Sequence, residues 1–387
     1  MSIKQVLSIA ILLLVVGTST AINAAFTAFE SGPVRPLAMS PDGQRLYVTN
    51  TPDNRVEVFR ITPSGLAHLT SIPVGMEPVA LAVRSANEIW VVNHLSDSVS
   101  IVKSDAEEFR VVRTLQVGDE PRDIVFAGPG GNRAFITAAN RDLNRPVGSK
   151  MGNADVWVFD ADNLGGSVEG DPLTVINLFT DVPRGLAVSN DGNRVYAAAF
   201  HSGSRTTVVS PKDLDGDLPP PDDNVDGVKA PPVGLIVKWY GAAWRDATGR
   251  DLSHLVDITL PDKDLFVIDA AADVPVENAS VSGIGTTLFN LAVNPVSGEI
   301  YVSNLEAQNH VRFEGPGVHG GSSLRGHISE NSISIVDGST VSRRHLNKHI
   351  DFDRFPGTAR ENARSLAFPL QMVVSSDGNL LYVAAFG

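Results

Sequence analysis

The sequence predicts an all-β fold built from repeated antiparallel sheets, and three observations support this prediction. A short strand with a central aromatic residue recurs six times along the 387 residues, at Tyr47, Trp90, Phe135, Tyr196, Tyr301 and Tyr382. Each copy follows an apolar strand and a turn, as in "PLAMSPDGQRLY" and "PRGLAVSNDGNRVY". The first three copies are separated by 43 and 45 residues, which is a regular period.

A period in the low forties without a helical pattern is typical of one four-stranded sheet per repeat. Further strand candidates follow each aromatic strand, such as "RVEVFRI" and "HLTSIPV" in the first unit. The sequence therefore predicts a β-propeller of four-stranded blades over residues 26–387. The alternative, a β-sandwich of unrelated hairpins, does not explain why the proline, turn and aromatic residue recur in phase.

The stretch "LYVTN" at 46–50 resembles the motif of the YVTN family of β-propeller repeats. That resemblance covers most of residues 34–387 and implies a ring that usually has seven blades. Only six repeat starts are visible, and the sixth, "LLYVAAFG", stops after its second strand. We therefore expect an incomplete seven-bladed ring, in which "FTAFES" at 26–31 supplies an outer strand to the missing last blade.

Residues 1–25 have the layout of a secretory signal peptide, with Lys4, an apolar run and a stretch of small residues. The alternative is a membrane anchor, but the apolar run is shorter than the roughly 20 residues that span a bilayer. We predict cleavage near Ala21 to Ala25 and a periplasmic or extracellular protein without further membrane attachment. With no cysteine, these residues can form neither a disulfide nor a covalent c-type haem linkage.

The formal net charge is −13, from 31 basic and 44 acidic residues. Such a charge repels nucleic acids and anionic headgroups, so neither is expected as a partner. The chain also lacks the Gly-x-Ser-x-Gly elbow of serine hydrolases and the glycine-rich phosphate loop.

Three long insertions interrupt the repeat, at about 140–154, 201–263 and 305–331. All three fall in the link between the second and third strands of a blade, so we expect them to form a cap on one face of the propeller. A rival assignment makes "TTVVS" at 206–210 the third strand of the fourth blade and moves the longest insertion to the opposite face.

The longest insertion carries an acidic stretch with Asp213, Asp215, Asp217, Asp222 and Asp223. Closely spaced carboxylates are the ligands that calcium requires, so one interpretation is a Ca²⁺ site. The other interpretation is a solvated acidic loop. An EF-hand is excluded, because Leu218 and Asn224 stand where that loop needs glycine and glutamate.

Histidines are further candidates for metal binding. His94 and His201 follow aromatic strands and are placed at the channel mouth, while His310, His319 and His327 lie in the third insertion. His345 and His349 would share a face only on a helix. For each histidine the alternative is an ordinary polar loop residue.

Trp239, Tyr240 and Trp244 form an aromatic group within the longest insertion. They are expected either to pack the cap onto the propeller or to form a recognition surface.

Taken together, these features predict an exported propeller scaffold whose capped face docks a protein, a small molecule or a cofactor. One alternative is the propeller part of a periplasmic redox protein that carries or contacts a c-type cytochrome or peroxidase-like domain. The other alternative is a propeller hydrolase or lactonase, with carboxylates and His94 or His201 at the axis.

Overall fold

A computed structural model describes residues 32–105, 108–141, 151–214, 234–246, 248–259, 262–308, 329–352, 354 and 357–387. The strands of these residues fall into separate antiparallel sheets. The first three blades have four strands each: β1 (Leu37–Met39), β2 (Arg45–Asn50), β3 (Arg55–Thr62) and β4 (Gly65–Pro73); β5 (Pro78–Ser85), β6 (Glu88–Asn93), β7 (Ser98–Asp105) and β8 (Glu108–Gln116); β9 (Ile124–Ala127), β10 (Arg133–Ala139), β11 (Ala154–Asp160) and β12 (Thr174–Leu178).

The remaining strands form two further four-stranded blades, a two-stranded sixth sheet and a small additional sheet. They are β13 (Pro183–Val188), β14 (Arg194–Ala199), β15 (Thr206–Val209), β16 (Leu235–Trp239), β17 (Trp244–Arg245), β18 (Leu265–Asp269), β19 (Val276–Val281), β20 (Thr287–Val293), β21 (Ile300–Ala307), β22 (Ser329–Asp337), β23 (Thr340–His345), β24 (Pro369–Val374) and β25 (Leu381–Ala385). The predicted propeller blades are therefore present. A short helix, α1 (Ala359–Asn362), precedes β24.

The fourth blade contains the longest insertion. Strand β18 pairs with β14, so residues 200–264 link the second and third strands of that blade. Strand β15 pairs instead with β16, which pairs with β17, and these three strands form the small sheet that we call the cap. The cap has its own apolar core, made of Val209, Leu214, Leu235, Val237 and Leu252. Residues 206–209 are therefore not the third strand of the blade.

The other two insertions occupy the same link. In blade three, β10 ends at Ala139 and β11 begins at Ala154. In blade five, β21 continues to Ala307 and β22 begins at Ser329, so this link is shorter than the 305–331 expected from the sequence. Within each antiparallel sheet, the first (inner) strand begins at the edge where the second strand ends. The three links leave from the ends of second strands, so they lie on the same face as the starts of the inner strands.

The recurrent aromatic residue packs between consecutive blades. Tyr47 lies in a core with Leu81 and Ile89 of the second blade, and Trp90 packs with Ile124 of the third. Phe135 packs in the same way with Leu186 of the fourth. The last copy is 60% exposed, at Tyr382 of the sixth sheet, where no following blade is described.

One segment, Pro33–Pro36, runs past the inner strands of four blades. The amides of Val34 and Arg35 donate to the carbonyl oxygen of Val79 in blade two. Asn290 of blade five donates its side-chain amide to the Val34 carbonyl oxygen at 2.8 Å. This segment therefore connects blades that are far apart in the sequence.

Arg35 makes the central contact of this segment. Its Nε and Nη2 donate to the two carboxylate oxygens of Asp123, each at 3.0 Å, and Nη2 also donates to the carbonyl oxygen of Leu186 at 2.7 Å. The Asp123 side chain is completely buried and accepts the amides of Ile124 and Leu186 as well. Burial alone would lower the pKa of Arg35, but the Asp123 charge and hydrogen bonds raise it.

In the part of the chain that the structure describes, no helix has the length and apolar character needed to cross a bilayer. The "RHLNKH" segment is not helical, since β23 ends at His345 and a turn follows, so His345 and His349 do not share a helix face. Residues 1–31, which contain the expected signal peptide and "FTAFES", lie outside the described residues.

Replacing Arg35 with methionine is expected to lower the free energy of unfolding by about 3–5 kcal/mol, because it leaves the buried Asp123 carboxylate without its counter-ion. Chemical denaturation of R35M and wild type measures this difference. The matched control is R55M, which removes an exposed arginine of β3 and should change stability by less than about 0.5 kcal/mol. Equal stability losses in R35M and R55M would contradict the structural role of the pair.

Candidate functional site

Two arginines occupy equivalent positions at the starts of neighbouring inner strands. Arg122 follows Pro121 before β9, and Arg184 follows Pro183 in β13. Blade one has Arg35 at this position, whereas blades two, five and six have the apolar residues Val79, Phe289 and Leu370. The strand pairing shifts register at this point in blades two, four, five and six, so the irregularity belongs to the repeat and is not special to the arginines.

Both guanidinium groups lie against one aromatic ring. The Cζ atoms of Arg122 and Arg184 are 5.5 Å and 4.8 Å from the ring centroid of Phe200, which directly follows β14. Both distances are within the range of a cation–π contact. We call Arg122, Arg184, Phe200 and the neighbouring His94 the axial mouth.

Arg184 is buried without a carboxylate partner among the described residues. It is 6% exposed, and its hydrogen bonds go to the carbonyl oxygens of Phe289 and Pro33, each at 3.2 Å. Burial, together with the charge of Arg122, lowers the pKa of Arg184 to about 10. A buried cation without an anionic partner is costly, so this position favours binding of an anion.

Arg122 is only weakly compensated. Its Nη2 is 3.4 Å from Glu120, while its Nε is buried without a hydrogen-bond partner in the described part of the chain. Burial lowers the pKa of Arg122 and outweighs the attraction of Glu120. Glu120 forms a shorter ion pair, at 2.7 Å, with Arg141. The guanidinium groups of Arg122 and Arg184 therefore lie next to Phe200 without a close ion pair of their own, although the more distant charges of Asp181 and Asp123 act on them.

The two histidines predicted at the mouth differ in environment. His94 is 7% exposed, and its Nδ1 lies 3.1 Å from the carbonyl oxygen of Pro121, to which it donates when neutral. Burial and the charge of Arg122 lower the pKa of His94, which favours the neutral ring. His201 is exposed and packs on Phe200, with ring centroids 4.4 Å apart.

A cavity of about 380 Å³ lies beside His201. It is bounded by the blade-three link at Met151, by Asp181 and by Lys263. The charge of Asp181 acts on Arg122, which places this cavity close to the axial mouth.

A second cavity system lies between the cap and blades four and five. One lobe, of about 240 Å³, is polar and is lined by Asp262, Asp264, Lys238, Glu306 and Arg343, among others. The other lobe, of about 510 Å³, is lined by Trp239, Trp244, Thr259 and Ser282. Both lobes share Arg205, Trp239 and Asp262, so we treat them as one space and call it the cap cleft.

Asp262 and Asp264 form a carboxyl pair at the base of the cap cleft. Asp264 is fully buried and accepts hydrogen bonds from the Ser202 hydroxyl and, at 2.6 Å, from the amide of Ile284. Burial, reinforced by the charge of Asp262, raises the pKa of Asp264 to about 7. Oδ1 of Asp262 is buried and has no hydrogen-bond donor in the described residues. A proton held by Asp264 supplies that donor.

Arg205 reaches the same carboxyl pair because a glycine faces it. Its Nε donates to Asp262 Oδ2 at 2.8 Å. Gly283 lies opposite with a positive φ of 79°, and a Cβ at this position would stand 2.2 Å from Arg205 Nη2. Any larger residue would displace the guanidinium.

The aromatic residues of the longest insertion differ in their surroundings, and two of them line the cap cleft. Trp239 and Trp244 lie 5.6 Å apart between ring centroids, and Trp244 also packs on the cap core. Tyr240 is 54% exposed.

Most of the other candidates from the sequence lie outside the described residues. Asp213 is exposed in a short 3-10 turn, while Asp215, Asp217, Asp222 and Asp223 lie outside the described residues. His310, His319 and His327 also lie outside them. Within the described ranges, no group of three or more histidine or carboxylate residues is arranged to hold a metal ion.

Sequence reasoning missed Arg122, Arg184, Arg205 and the Asp262–Asp264 pair. A weak signal for the first two existed, because the repeat alignment puts Pro-Arg in two successive units, whereas the first unit has Arg35 without a preceding proline and the remaining units have an apolar residue. No comparable signal marked Arg205, which is 57 residues from Asp262.

Comparison with known proteins supports the fold. No family model matches the chain, and no curated protein matches it. Hydrazine synthase of Kuenenia stuttgartiensis is similar in structure, with a TM-score of 0.58, 19% identity and coverage of 92% of this chain and 76% of that one. A candidate 6-phosphogluconolactonase from Bacteroides fragilis has a TM-score of 0.49 and 12% identity, covering 92% of this chain and 78% of that one. At these identities the likeness shows a propeller-type fold alone, and the YVTN resemblance stays a prediction.

The carboxyl pair predicts a pH-dependent stability. Asp264 has a pKa of about 7 when folded and an ordinary value of 3.8, so between these limits the folded protein holds a proton that the unfolded chain has released. Stability should therefore fall as pH rises from about 4 to 7, by about 1.4 kcal/mol per pH unit from this group, and lose this dependence above 7. Denaturant midpoints across this range measure it.

The comparison variant is D264N, whose amide can donate to Asp262 as the protonated acid does. The stability of D264N should not show this fall between pH 4 and 7. The stability of D337N, which changes an exposed carboxylate at the end of β22, should fall as in wild type. Parallel curves for D264N and wild type would show that Asp264 does not hold the proton.

Proposed function

We propose that this chain is a binding protein built on a β-propeller and that its axial mouth takes a small anionic ligand. The observation that carries the proposal is Arg184, which is 6% exposed and beside Arg122 yet has only carbonyl partners in the described structure. Two neighbouring buried guanidinium groups cost stability unless an anion compensates them. Arginine offers paired donors that suit carboxylate and phosphate oxygens equally well.

The site's construction supports a small ligand. Phe200 holds both guanidinium groups on one ring, which restricts their movement before a ligand arrives. The 380 Å³ cavity beside His201, which none of the four mouth residues lines, falls in the size range of small-molecule pockets.

Export, calcium binding by the acidic loop and docking of a cytochrome domain remain proposals from the sequence. The predicted signal peptide supports action in the periplasm or outside the cell. That location is compatible with capture of a small anion from solution.

Calorimetric titration of the purified protein at low salt with citrate, succinate and inorganic phosphate tests the anion proposal. At least one probe should bind saturably, and R184M should weaken that binding about 10–100-fold, since each charge-assisted hydrogen bond contributes about 1.5–3 kcal/mol. Comparing the affinities for citrate and succinate with the affinity for phosphate shows whether the site prefers a carboxylate or a phosphate.

The matched control is R110M, at an exposed arginine of the outer strand β8, which should bind like wild type. R184M itself should remain at least as stable as wild type, because it removes a buried cation. Absence of binding for all three anions, or equal binding by R184M, would contradict the proposal.

His94 supports hydrolysis as a second candidate function. With Nδ1 donating to Pro121, its Nε2 is the basic nitrogen, and its lowered pKa keeps it neutral. Such a ring can take a proton from water while Arg122 and Arg184 stabilise an oxyanion. Hydrolysis of lactones of small sugar acids that is lost in H94N, with anion binding retained, would support this activity; no hydrolysis by wild type would exclude it for those substrates.

A further inference from the structure

The cap cleft is a second space, separate in its lining from the axial mouth. It is closed on one side by the cap strand β16 and on the other by the link before β20 and by strands β21 and β23. Its lining is contributed by the cap and by two blades, through Trp239, Asp262 and Arg343 respectively. A ligand here would contact all three.

The charges in the cleft are compensated within the cleft. Arg205 pairs with Asp262 at 2.8 Å, and Lys238 and Arg343 both pair with Glu306, at 2.7 Å and 3.1 Å. The two carboxylates and Lys238 are largely buried, whereas the side chains of Arg205 and Arg343 are about one third exposed. The cleft therefore offers many donors and acceptors, and each of its three cations lies against a carboxylate, with Glu306 shared by two of them.

The other lobe adds flat apolar surface next to these polar groups. Trp239 and Trp244 line it with ring planes inclined at 51°, and the hydroxyl residues Thr259 and Ser282 border it. Trp239 and Asp262 border both lobes, so an aromatic ring and a carboxylate lie along one continuous wall. The combination suits a neutral molecule with one apolar face and a rim of hydroxyl groups.

We propose that the cap cleft binds a neutral saccharide, with a pyranose ring against Trp239 and Trp244 and its hydroxyl groups hydrogen-bonded to Asp262, Arg205 and neighbouring polar side chains. The carboxylate of Asp262 accepts from the sugar hydroxyls, and Arg205 donates to them. A quaternary ammonium ligand is disfavoured, because three cationic side chains line the polar lobe.

Tryptophan fluorescence and calorimetric titration with methyl β-D-glucopyranoside, N-acetylglucosamine and their β-linked tetrasaccharides test this proposal, followed by a neutral-glycan array. A saturable change in emission is expected, with the tetrasaccharides binding at least tenfold more tightly than the single rings, since the combined space of the two lobes admits more than one ring. W239A and D262N should each weaken binding at least tenfold.

W239A alters a cap strand and could unfold the cap, so T259V provides a milder test. It replaces an exposed lining hydroxyl with an isosteric methyl group and should weaken binding several-fold without a change in stability. Y240A is the matched aromatic control, because Tyr240 is adjacent in sequence but does not line the described cleft. R184M should bind saccharides like wild type, which separates this site from the axial mouth.

Three results would overturn the saccharide assignment. The first is the absence of saturable binding to every saccharide on the array at millimolar concentration. The second is unchanged binding in both D262N and T259V. The third is saturation of the cleft by tetramethylammonium, with tryptophan quenching that D262N abolishes, in the absence of any saccharide response.

Discussion

The ion pair between Arg35 and Asp123 is the contact on which the arrangement of the inner strands depends. Through its two oxygens, Asp123 binds the guanidinium of Arg35 and the main chain of blades three and four, while Arg35 itself reaches the Leu186 carbonyl. The adjoining carbonyl oxygens of Pro33 and Val34 accept from Arg184 and Asn290. A single short segment thus ties together blades that pack pairwise everywhere else, and it holds Arg184 in place at the axial mouth.

The repeat supplies a frame in which a few positions can change without loss of the fold. At the repeat position of Arg122 and Arg184 an apolar side chain suffices for packing, as the buried Val79 and Phe289 show. Burial lowers the pKa of the arginines that stand at this position in blades three and four. A bound anion would compensate their charge, which agrees with the proposed binding role.

The cap differs from the blades in how it is stabilised. Its own apolar core is small, and its attachment to the propeller relies on polar contacts such as Lys238 with Glu306 and Arg205 with Asp262. An interface held by polar contacts leaves space between the cap and the blades. The cap cleft therefore lies at this interface rather than within a blade. The protonated carboxyl of Asp264 lies under this interface and makes its strength depend on pH.

Much of the fold was determined by local sequence. The alternation of apolar and polar residues, the Asp-Gly turns and the aromatic strand are patterns of only a few residues each. The sequence therefore predicted the six units and the link that carries the insertions. The aromatic residue is buried because the next blade covers it, as Trp90 shows, and Tyr382 is exposed where no further blade is described. The sequence indicated single residues of both sites, such as His94 and Trp239, but only the tertiary structure decided which side chains meet there. Arg35 is 88 residues from Asp123 and Arg205 is 57 from Asp262, and contacts at such separations depend on how blades and cap pack, which no local pattern encodes.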